Sequence, residues 1–219
     1  MKDKVEIMSE LKIIQKDGSD CVPVDVSLTT KLIDRAYKCA CAHGFHNVEL
    51  SVEHCLMLVL SEIGEAVEAD RRGNRCDIVL FENSLGGSSK GVIFKHVFER
   101  HIKDSVEDEM ADACIRLYDM CGVFGIAPQV EYGGLDADFK NIFGDDSFCE
   151  RMFYLSKLLC DTNGVLEDDG SDACLPRVIG QCLSFLFACA HDMRIDLLRH
   201  IELKMQYNEL RPMLNGKKY

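Results

Sequence analysis

The sequence predicts an all-α protein, most simply a bundle of helices. Apolar residues recur at helical spacing through most of the 219-residue chain. Hydrophobic residues make up 47% of the chain, which is enough for a packed core, and only four prolines interrupt it. Clusters of Gly, Ser and Asp, which are typical of turns, separate the periodic segments. We therefore expect long helices joined by polar connections.

The first half of the chain contains two predicted helices and an irregular insertion. Helical periodicity begins near Ser27, a suitable N-cap, and ends near Gly44. A second helix starts near Ser51 and ends at the basic residues that precede Gly73. Residues 74–91 break the helical pattern, and the apolar run at 76–81 is compatible with a short β-strand in this insertion.

The remaining helices follow from the same periodicity. From Val92 the helical pattern continues to Gly125, and Pro128 prevents a longer helix. Residues 129–147 form a connection, and helical stretches follow at 148–161, 176–191 and 195–209. Residues 1–26 are then an N-terminal extension, and residues 27–219 form a single helical domain. An alternative division of that domain is two helix-pair repeats, 27–128 and 148–219.

Charge and cysteine content exclude several classes of function. Lys and Arg number 25 against 37 Asp and Glu, a net charge of -12, which argues against binding to a nucleic acid polymer. No apolar run is as long as a membrane span, and the N-terminus lacks the apolar core of a signal peptide, so we expect a cytoplasmic protein. The 12 cysteines form no CxxC motif. Several occupy apolar helical positions, which predicts buried reduced thiols rather than a zinc site: Cys55, Cys114, Cys121, Cys160, Cys182 and Cys189.

Two short carboxylate motifs are the strongest functional signal. Glu62 and Glu65 are three residues apart in one predicted helix, as are Glu109 and Asp112 in another. This spacing places each pair on one helix face, beside strongly apolar positions. Carboxylates at the edge of a core repel each other unless a cation lies among them. Mg²⁺, with Mn²⁺ as an alternative, is the simplest candidate, and it would support hydrolysis of a phosphoanhydride bond.

The acidic motifs are also compatible with roles that involve no catalysis. They can form a solvated helix face that contributes no chemistry, or a noncatalytic interaction module that binds a basic partner. Arg116, four residues beyond Asp112, is expected to form an intrahelical ion pair with it. A di-iron carboxylate bundle is disfavoured because its Glu-x-x-His motif does not occur in this chain.

A basic segment near the C-terminus is the second functional signal. In a chain of strongly negative charge, residues 200–219 concentrate Lys and Arg together with Asn and Tyr. Lys and Arg are natural phosphate ligands, and Asn can bond a base or a sugar. Residues of these types in the segment include Lys204, Asn208, Arg211 and Lys217, and Lys103 is a weaker candidate of the same kind. The alternative is a solvated tail.

Three blocks together resemble a known family. They are SEIGEAVEADRRG, SVEDEMADACIRLYDMCGVFGI and HIELKMQYNELRPMLNGKKY, in that order. They resemble the MazG-like all-α nucleoside triphosphate pyrophosphohydrolases. The resemblance implies a helical bundle that forms a dimer or tetramer. It also implies Mg²⁺-dependent cleavage between the α and β phosphates, which yields a nucleoside monophosphate and pyrophosphate.

The resemblance also assigns roles to residues. It implies that Glu62, Glu65, Glu109 and Asp112 bind the metal and carry catalysis, and that the C-terminal residues named above contact the nucleotide. The chain departs from the family pattern at Ser61, where the family often has Glu, and in the long spacer of residues 66–108. A related activity, phosphoribosyl-ATP pyrophosphohydrolase, is an alternative.

Overall fold

A computed structural model describes residues 25–87, 91–130, 143–160 and 174–216. Within these ranges the chain forms eight α-helices and no β-strand, which confirms the predicted all-α class. The helices are α1 Val26–Ala42, α2 Val52–Arg71, α3 Ile78–Leu85, α4 Gly91–His101, α5 Val106–Phe124, α6 Phe148–Cys160, α7 Cys174–Asp192 and α8 Leu197–Glu209. A 3-10 turn, Met213–Gly216, follows α8.

Side-chain caps fix where the first two helices begin. The Asp25 carboxylate accepts the backbone N–H of Leu28, so α1 starts before the predicted N-cap, Ser27. Helix α2 starts as predicted, because the Ser51 hydroxyl accepts the backbone N–H of His54. The end of α2 carries Arg71, which suits the negative end of the helix dipole.

The predicted β-strand at 76–81 is wrong, because this part of the 74–91 insertion lies largely in helix α3. The Asp77 carboxylate accepts the backbone N–H of Leu80 and starts the helix. Gly86 ends it in the left-handed conformation, with φ 53°. Phe81 is buried, whereas Val79 and Leu80 are exposed. The apolar run therefore belongs to a short helix that buries only part of its surface.

The predicted continuous helix from Val92 to Gly125 is two helices, α4 and α5. Between them Asp104 adopts a φ of 62°, a backbone conformation that interrupts a right-handed helix. Ser105 then accepts the backbone N–H of Asp108 and starts α5. The break places the first turn of α5 inside the molecule, where its acidic residues Glu107, Asp108 and Glu109 are all buried.

Helix α5 is the centre of the main core. It packs against α1, α2, α7 and α8, and its most extensive contact is with α2. Met110, Leu117 and Tyr118 of α5 are fully enclosed. Helix α6 packs on α2 and α7 at the other side of the same core. Every helix that carries a predicted functional residue therefore contacts α5 directly or is α5 itself.

Helices α3 and α4 pack on each other and form a smaller aromatic cluster. The rings of Phe81, Phe94 and Phe98 contact each other at centroid distances of 5.8 to 6.5 Å. Phe98 also stacks on Tyr207 of α8, with 4.5 Å between ring centroids. The insertion is thereby attached to α8, the helix that carries the predicted substrate contacts.

Helices α1 and α5 approach each other closely at Gly122. A Cβ atom at this position would lie only 2.5 Å from the Cβ atom of Tyr37 in α1. Because real Cβ atoms do not approach so closely, any side chain at position 122 would push the two helices apart. Gly122 has no unusual backbone angle, so close packing is the reason for glycine here.

Cysteine burial largely follows the sequence prediction. Of the six cysteines predicted to be buried, five are buried, and Cys160 at the end of α6 is exposed. No group of potential metal ligands within the described ranges contains a cysteine. None of the helices described here combines the length and apolarity needed to cross a membrane. Most of the predicted N-terminal extension lies outside the described residues, and the division into two helix-pair repeats stays a prediction.

Candidate metal centre

The packing of α2 on α5 brings carboxylates from both predicted motifs together. Glu62 of α2 and Glu109 and Asp112 of α5 form what we call the first acid group. One carboxylate oxygen from each lies within 4.8 Å of the others. Glu62 is only 3% exposed and Glu109 only 4%, while Asp112 is partly buried. Charges this deeply buried require a compensating partner.

Glu65, the fourth predicted ligand, lies at the edge of the group. Its side chain is exposed, one helical turn beyond Glu62. It is close enough for its charge to raise the pKa of Glu62 and Glu109 further, although burial is the larger cause in both. The structure therefore brings oxygens of three of the four predicted carboxylates within 4.8 Å of one another and leaves the fourth carboxylate accessible to solvent.

The three carboxylates of the first acid group differ in their affinity for protons. Burial raises the pKa of Glu109 to about 8, helped by Asp108 and Asp112 and opposed by Lys204. Burial, reinforced by Asp112, also raises the pKa of Glu62, against the attraction of Arg116. Burial acts the same way on Asp112, but Lys204 and Arg116 outweigh it and hold its pKa below the usual value.

Arg116 neutralises Glu62 across the helix pair. Its Nε donates to Glu62 Oε1 at 3.1 Å, so the hydrogen-bonded partner is a residue of α2 and not Asp112, the partner expected from the i, i+4 spacing. Asp112 and Asp119 act on Arg116 only as more distant charges. The Arg116 guanidinium also lies 5.9 Å from the ring centroid of Phe45.

Lys204 lies inside the acidic centre instead of pointing to solvent. Its Nζ donates to Asp108 Oδ2 at 2.7 Å and lies 2.9 Å from Asp112 Oδ2. The residue is only 4% exposed, and its ammonium faces the rings of Phe98 and Tyr207 at 5.8 and 5.9 Å. Burial lowers the pKa of Lys204, but the surrounding carboxylates raise it above its ordinary value, so the ammonium stays charged.

Asp108, which the sequence pattern did not single out, adjoins Glu109 of the second acidic motif and pairs with Lys204. Its Oδ2 accepts the backbone N–H of Asp104 at 3.0 Å as well as the Lys204 ammonium. Burial raises its pKa to about 6, against the attraction of Lys204. Asp104, Asp108 and Glu109 form a second acid group, which shares Glu109 with the first. In the sequence Asp108 is one of three acids in the first turn of a helix, a pattern that the helix dipole alone explains.

A narrow cleft of about 60 Å³ opens beside Asp112 and holds two of the predicted substrate contacts. Asn208 of α8 and Arg211, which follows the end of α8, line it together with Arg116 of α5 and residues of α1. The Oδ1 atom of Asn208 is buried and accepts no hydrogen bond within the described residues. The Arg211 guanidinium lies 5.7 Å from the ring centroid of Tyr207. The cleft in this state admits small polar groups, such as water molecules or phosphate oxygens.

Besides Lys204, two more predicted substrate contacts, Lys103 and Lys217, do not line the cleft within the described residues. Lys103 lies in the α4–α5 connection, where its ammonium pairs with the Asp104 carboxylate, and it does not line the cleft. Lys217 lies outside the described residues. A larger but shallow depression of about 490 Å³ on α1 is lined mainly by charged side chains and contains no member of either acid group.

The first acid group fits a hard divalent cation. All its donors are carboxylate oxygens, the ligands that Mg²⁺ and Mn²⁺ prefer. Oxygens around one Mg²⁺ lie roughly 2.1 Å from the ion, and hence about 3 to 4 Å from each other, which is within the 4.8 Å limit that encloses these oxygens. Arg116 and Lys204 each neutralise one carboxylate, which leaves Glu109 without an ion-pair partner in the part of the chain that the structure describes.

Comparisons with known proteins give no independent assignment. A scan of protein-family models, a search of curated proteins and a search of solved structures each returned no match to this chain.

Proposed function

We propose that this protein is a Mg²⁺-dependent pyrophosphohydrolase of the MazG-like type. It would convert nucleoside or deoxynucleoside triphosphates to the monophosphate and pyrophosphate. The observation that carries this proposal is the first acid group. In it, α2 and α5 hold oxygens of three carboxylates within 4.8 Å of one another, beside a cleft lined by two arginines and an asparagine. The family resemblance adds that the protein acts as a homo-oligomer, most simply a dimer, and we place it in the cytoplasm.

Each carboxylate has a role in this proposal. Glu62, Glu109 and Asp112 would hold the ion, which when bound supplies Lewis-acid polarisation of phosphoryl oxygens. Glu65, exposed at the edge of the group, is positioned to accept a proton from the attacking water. Because Glu65 is on the solvent side, that proton can leave to water.

The cleft residues would bind the triphosphate. Arg116 and Arg211 line the same cleft as Asn208, and guanidinium geometry suits phosphate oxygens. The unpaired Oδ1 of Asn208 needs a donor, which a sugar hydroxyl or a base N–H would supply. Attack at the α phosphorus, rather than at β or γ, rests on the family resemblance.

Burial argues against the two noncatalytic roles. A solvated acidic face, or a face that docks a basic partner, has to expose its carboxylates, yet Glu62 and Glu109 are almost completely buried. Buried carboxylates cost folding free energy unless a cation or a hydrogen bond compensates them. A site for a metal ion explains why that cost is tolerated.

The test is a pyrophosphate-release assay on the full chain. The eight common ribo- and deoxyribonucleoside triphosphates are each incubated with Mg²⁺ or with EDTA, and the nucleotide product is identified by chromatography. We expect Mg²⁺-dependent release of pyrophosphate and a monophosphate. Glu62→Gln should lose this activity, whereas Glu68→Gln, an exposed glutamate on the same helix that pairs with Arg71 and Arg72, should keep it.

Three results would contradict the proposal. Release of orthophosphate instead of pyrophosphate would place the cleavage at a different bond. Equal rates for the Glu62 and Glu68 variants would remove the acid group from the chemistry. No hydrolysis of any of the eight nucleotides by folded protein would favour the interaction module, and hydrolysis of phosphoribosyl-ATP alone would favour the related activity in its place.

A further inference from the structure

The two acid groups together have the outline of a site for two cations. They share Glu109, so ions held by both groups would be bridged by one carboxylate. Two-metal sites in phosphate-transfer enzymes have this form, with ions about 3.5 to 4 Å apart. The number of ions that the centre accepts therefore depends on what else neutralises the second group.

Lysine ammonium groups already pair with two carboxylates of the second acid group. Lys204 contributes an ammonium to Asp108, and Lys103 contributes one to Asp104. Lys204 also contacts Asp112 of the first group, so its charge lies where the two groups meet. Glu109, the shared residue, has no ion-pair partner among the described residues, so in the first group it is the carboxylate that no side-chain cation neutralises.

Four neighbours hold the Lys204 ammonium in place. Two are the carboxylates of Asp108 and Asp112, at 2.7 and 2.9 Å. Two are the ring faces of Phe98 and Tyr207. Its burial leaves little room for it to move towards water. A divalent ion bound to Asp108 would lie within a few ångströms of this fixed positive charge and would be repelled by it.

We propose that the ammonium group of Lys204 occupies the second of two adjoining cation positions, so that the folded chain binds one divalent ion, at the first acid group, rather than two. This inference rests on the proposed function, because it takes the first acid group to be a metal site. It makes Lys204 a positioning residue that fixes the Asp112 carboxylate, and not primarily a phosphate ligand.

The experiment counts Mn²⁺ ions per chain in the absence of nucleotide. Isothermal titration gives the stoichiometry, and electron paramagnetic resonance distinguishes an isolated ion from a magnetically coupled pair. We expect the wild-type chain to bind one isolated ion. Lys204→Met should bind two coupled ions, because the second position is then empty and Asp108 is no longer neutralised.

Two further variants localise the effect. Adding Asp108→Asn to Lys204→Met removes a ligand of the second position, so the count should return to one. Lys38→Met removes a lysine from an exposed surface pair with Asp34, and its count should stay at one. The control is matched because the same substitution is made at a lysine outside the centre.

Each result decides for or against the inference. Two ions in the wild-type chain, or one in Lys204→Met, would overturn it while leaving the proposed function intact. No bound ion in the wild-type chain would overturn both. If Lys204→Met does not fold, the wild-type count decides alone: one ion supports the inference and two overturn it.

Discussion

Two helix pairs of the same core, α2 with α5 and α6 with α7, differ in the side chains that they bury. The first pair buries Glu62 and Glu109 between its helices. The second pair buries leucine, phenylalanine and cysteine side chains, such as Leu155 and Cys182. One charged contact of this pair joins the two helices: Nη1 of the buried Arg151 lies 2.7 Å from Asp192 Oδ2.

The difference separates an apolar part of the core from a part that buries the carboxylates of the proposed metal site. Buried apolar side chains contribute about 1.5 to 3 kcal/mol each to folding, whereas buried ion pairs contribute little or even destabilise. Helices α6 and α7 therefore stabilise a fold whose other half carries costly charges. Substitutions of the buried carboxylates in the α2–α5 pair should lower activity more than stability. Substitutions of buried apolar residues in the α6–α7 pair should lower stability and leave activity unchanged.

The largest expected effect is the loss of activity in Asp112→Asn. The amide keeps the shape of the side chain but removes a charged ligand, so kcat should fall by at least the roughly 100-fold that loss of an outer partner can cost. Lys204 retains Asp108 as a partner, so the free energy of unfolding should change by only about 1 to 3 kcal/mol. Steady-state kinetics and urea unfolding measure the two effects. Asp34→Asn, at an exposed position of α1, is the control and should match the wild-type protein in both.

The opposite result is expected for Leu155→Ala in α6. Leu155 is fully buried, so truncation should cost about 2 to 5 kcal/mol of stability through lost contacts and a cavity. The rate per folded molecule should not change, because neither acid group contains a residue of α6. Phe153→Ala, an exposed position on the same helix, should alter stability by no more than about 0.5 kcal/mol. A fall in kcat for Leu155→Ala, measured well below its unfolding temperature, would break the distinction between the two pairs.

Stabilisation by Mg²⁺ should depend on the α2–α5 pair alone. At a concentration about 100 times its dissociation constant, a ligand of the folded state adds about 2.7 kcal/mol. For a chain of this size that raises the melting temperature by roughly 5 to 10 °C. Thermal unfolding in Mg²⁺ and in EDTA should show the shift in the wild-type chain and in Leu155→Ala, but not in Asp112→Asn. An equal shift in all three would place the ion outside the first acid group.

The smallest expected effect is a difference in acid sensitivity at His200 of α8. This side chain is buried, and burial lowers its pKa below the ordinary value of 6.5. The unfolded chain therefore takes up a proton before the folded chain does, so the contribution of His200 to stability is present above about pH 6.5 and is lost as the pH falls below it. The groups that face it are Cys76, Glu107, Asp196, Arg75 and Arg199.

Urea unfolding at about pH 7.5 and about pH 5.5, on either side of the ordinary histidine pKa, measures this contribution. His200→Gln should lose less stability between the two pH values than the wild-type chain does. His96→Gln, at an exposed position of α4, should behave as the wild-type chain. An unchanged loss in His200→Gln would assign the acid sensitivity to different groups.

Periodicity predicted most of the helices but not every boundary. The recurrence of apolar residues at helical spacing predicted α1, α2, α6, α7 and α8. The break between α4 and α5 was not predicted, because apolar residues continue at helical spacing across it. The local evidence was the Ser105-to-Asp108 capping pattern, which competes with that spacing. Helix α3 was not predicted, because a short apolar run fits a strand and a helix equally well. Only the role of Asp77 as N-cap of the helix distinguishes the two.

The candidate site was predictable where it depends on one helix and not where it depends on packing. The i, i+3 spacing correctly placed Glu109 and Asp112 on one face of α5. The direction of Lys204 depends on how α8 packs against α5, about which the sequence carries no local signal. For the same reason Arg116 was assigned to its neighbour in the helix, although its partner, Glu62, is on another helix.

Gly122 connects helix packing with the shape of the cleft. Ala36, Cys39 and Ala40 of α1 form one wall of that cleft, while Asp112 and Arg116 of α5 belong to the other. The separation of these walls is set by the absence of a side chain at position 122, which lines no part of the cleft itself. A single residue that does not line the cleft therefore controls the distance between its two walls. A larger residue at position 122 would widen the cleft while every residue that lines it stays the same.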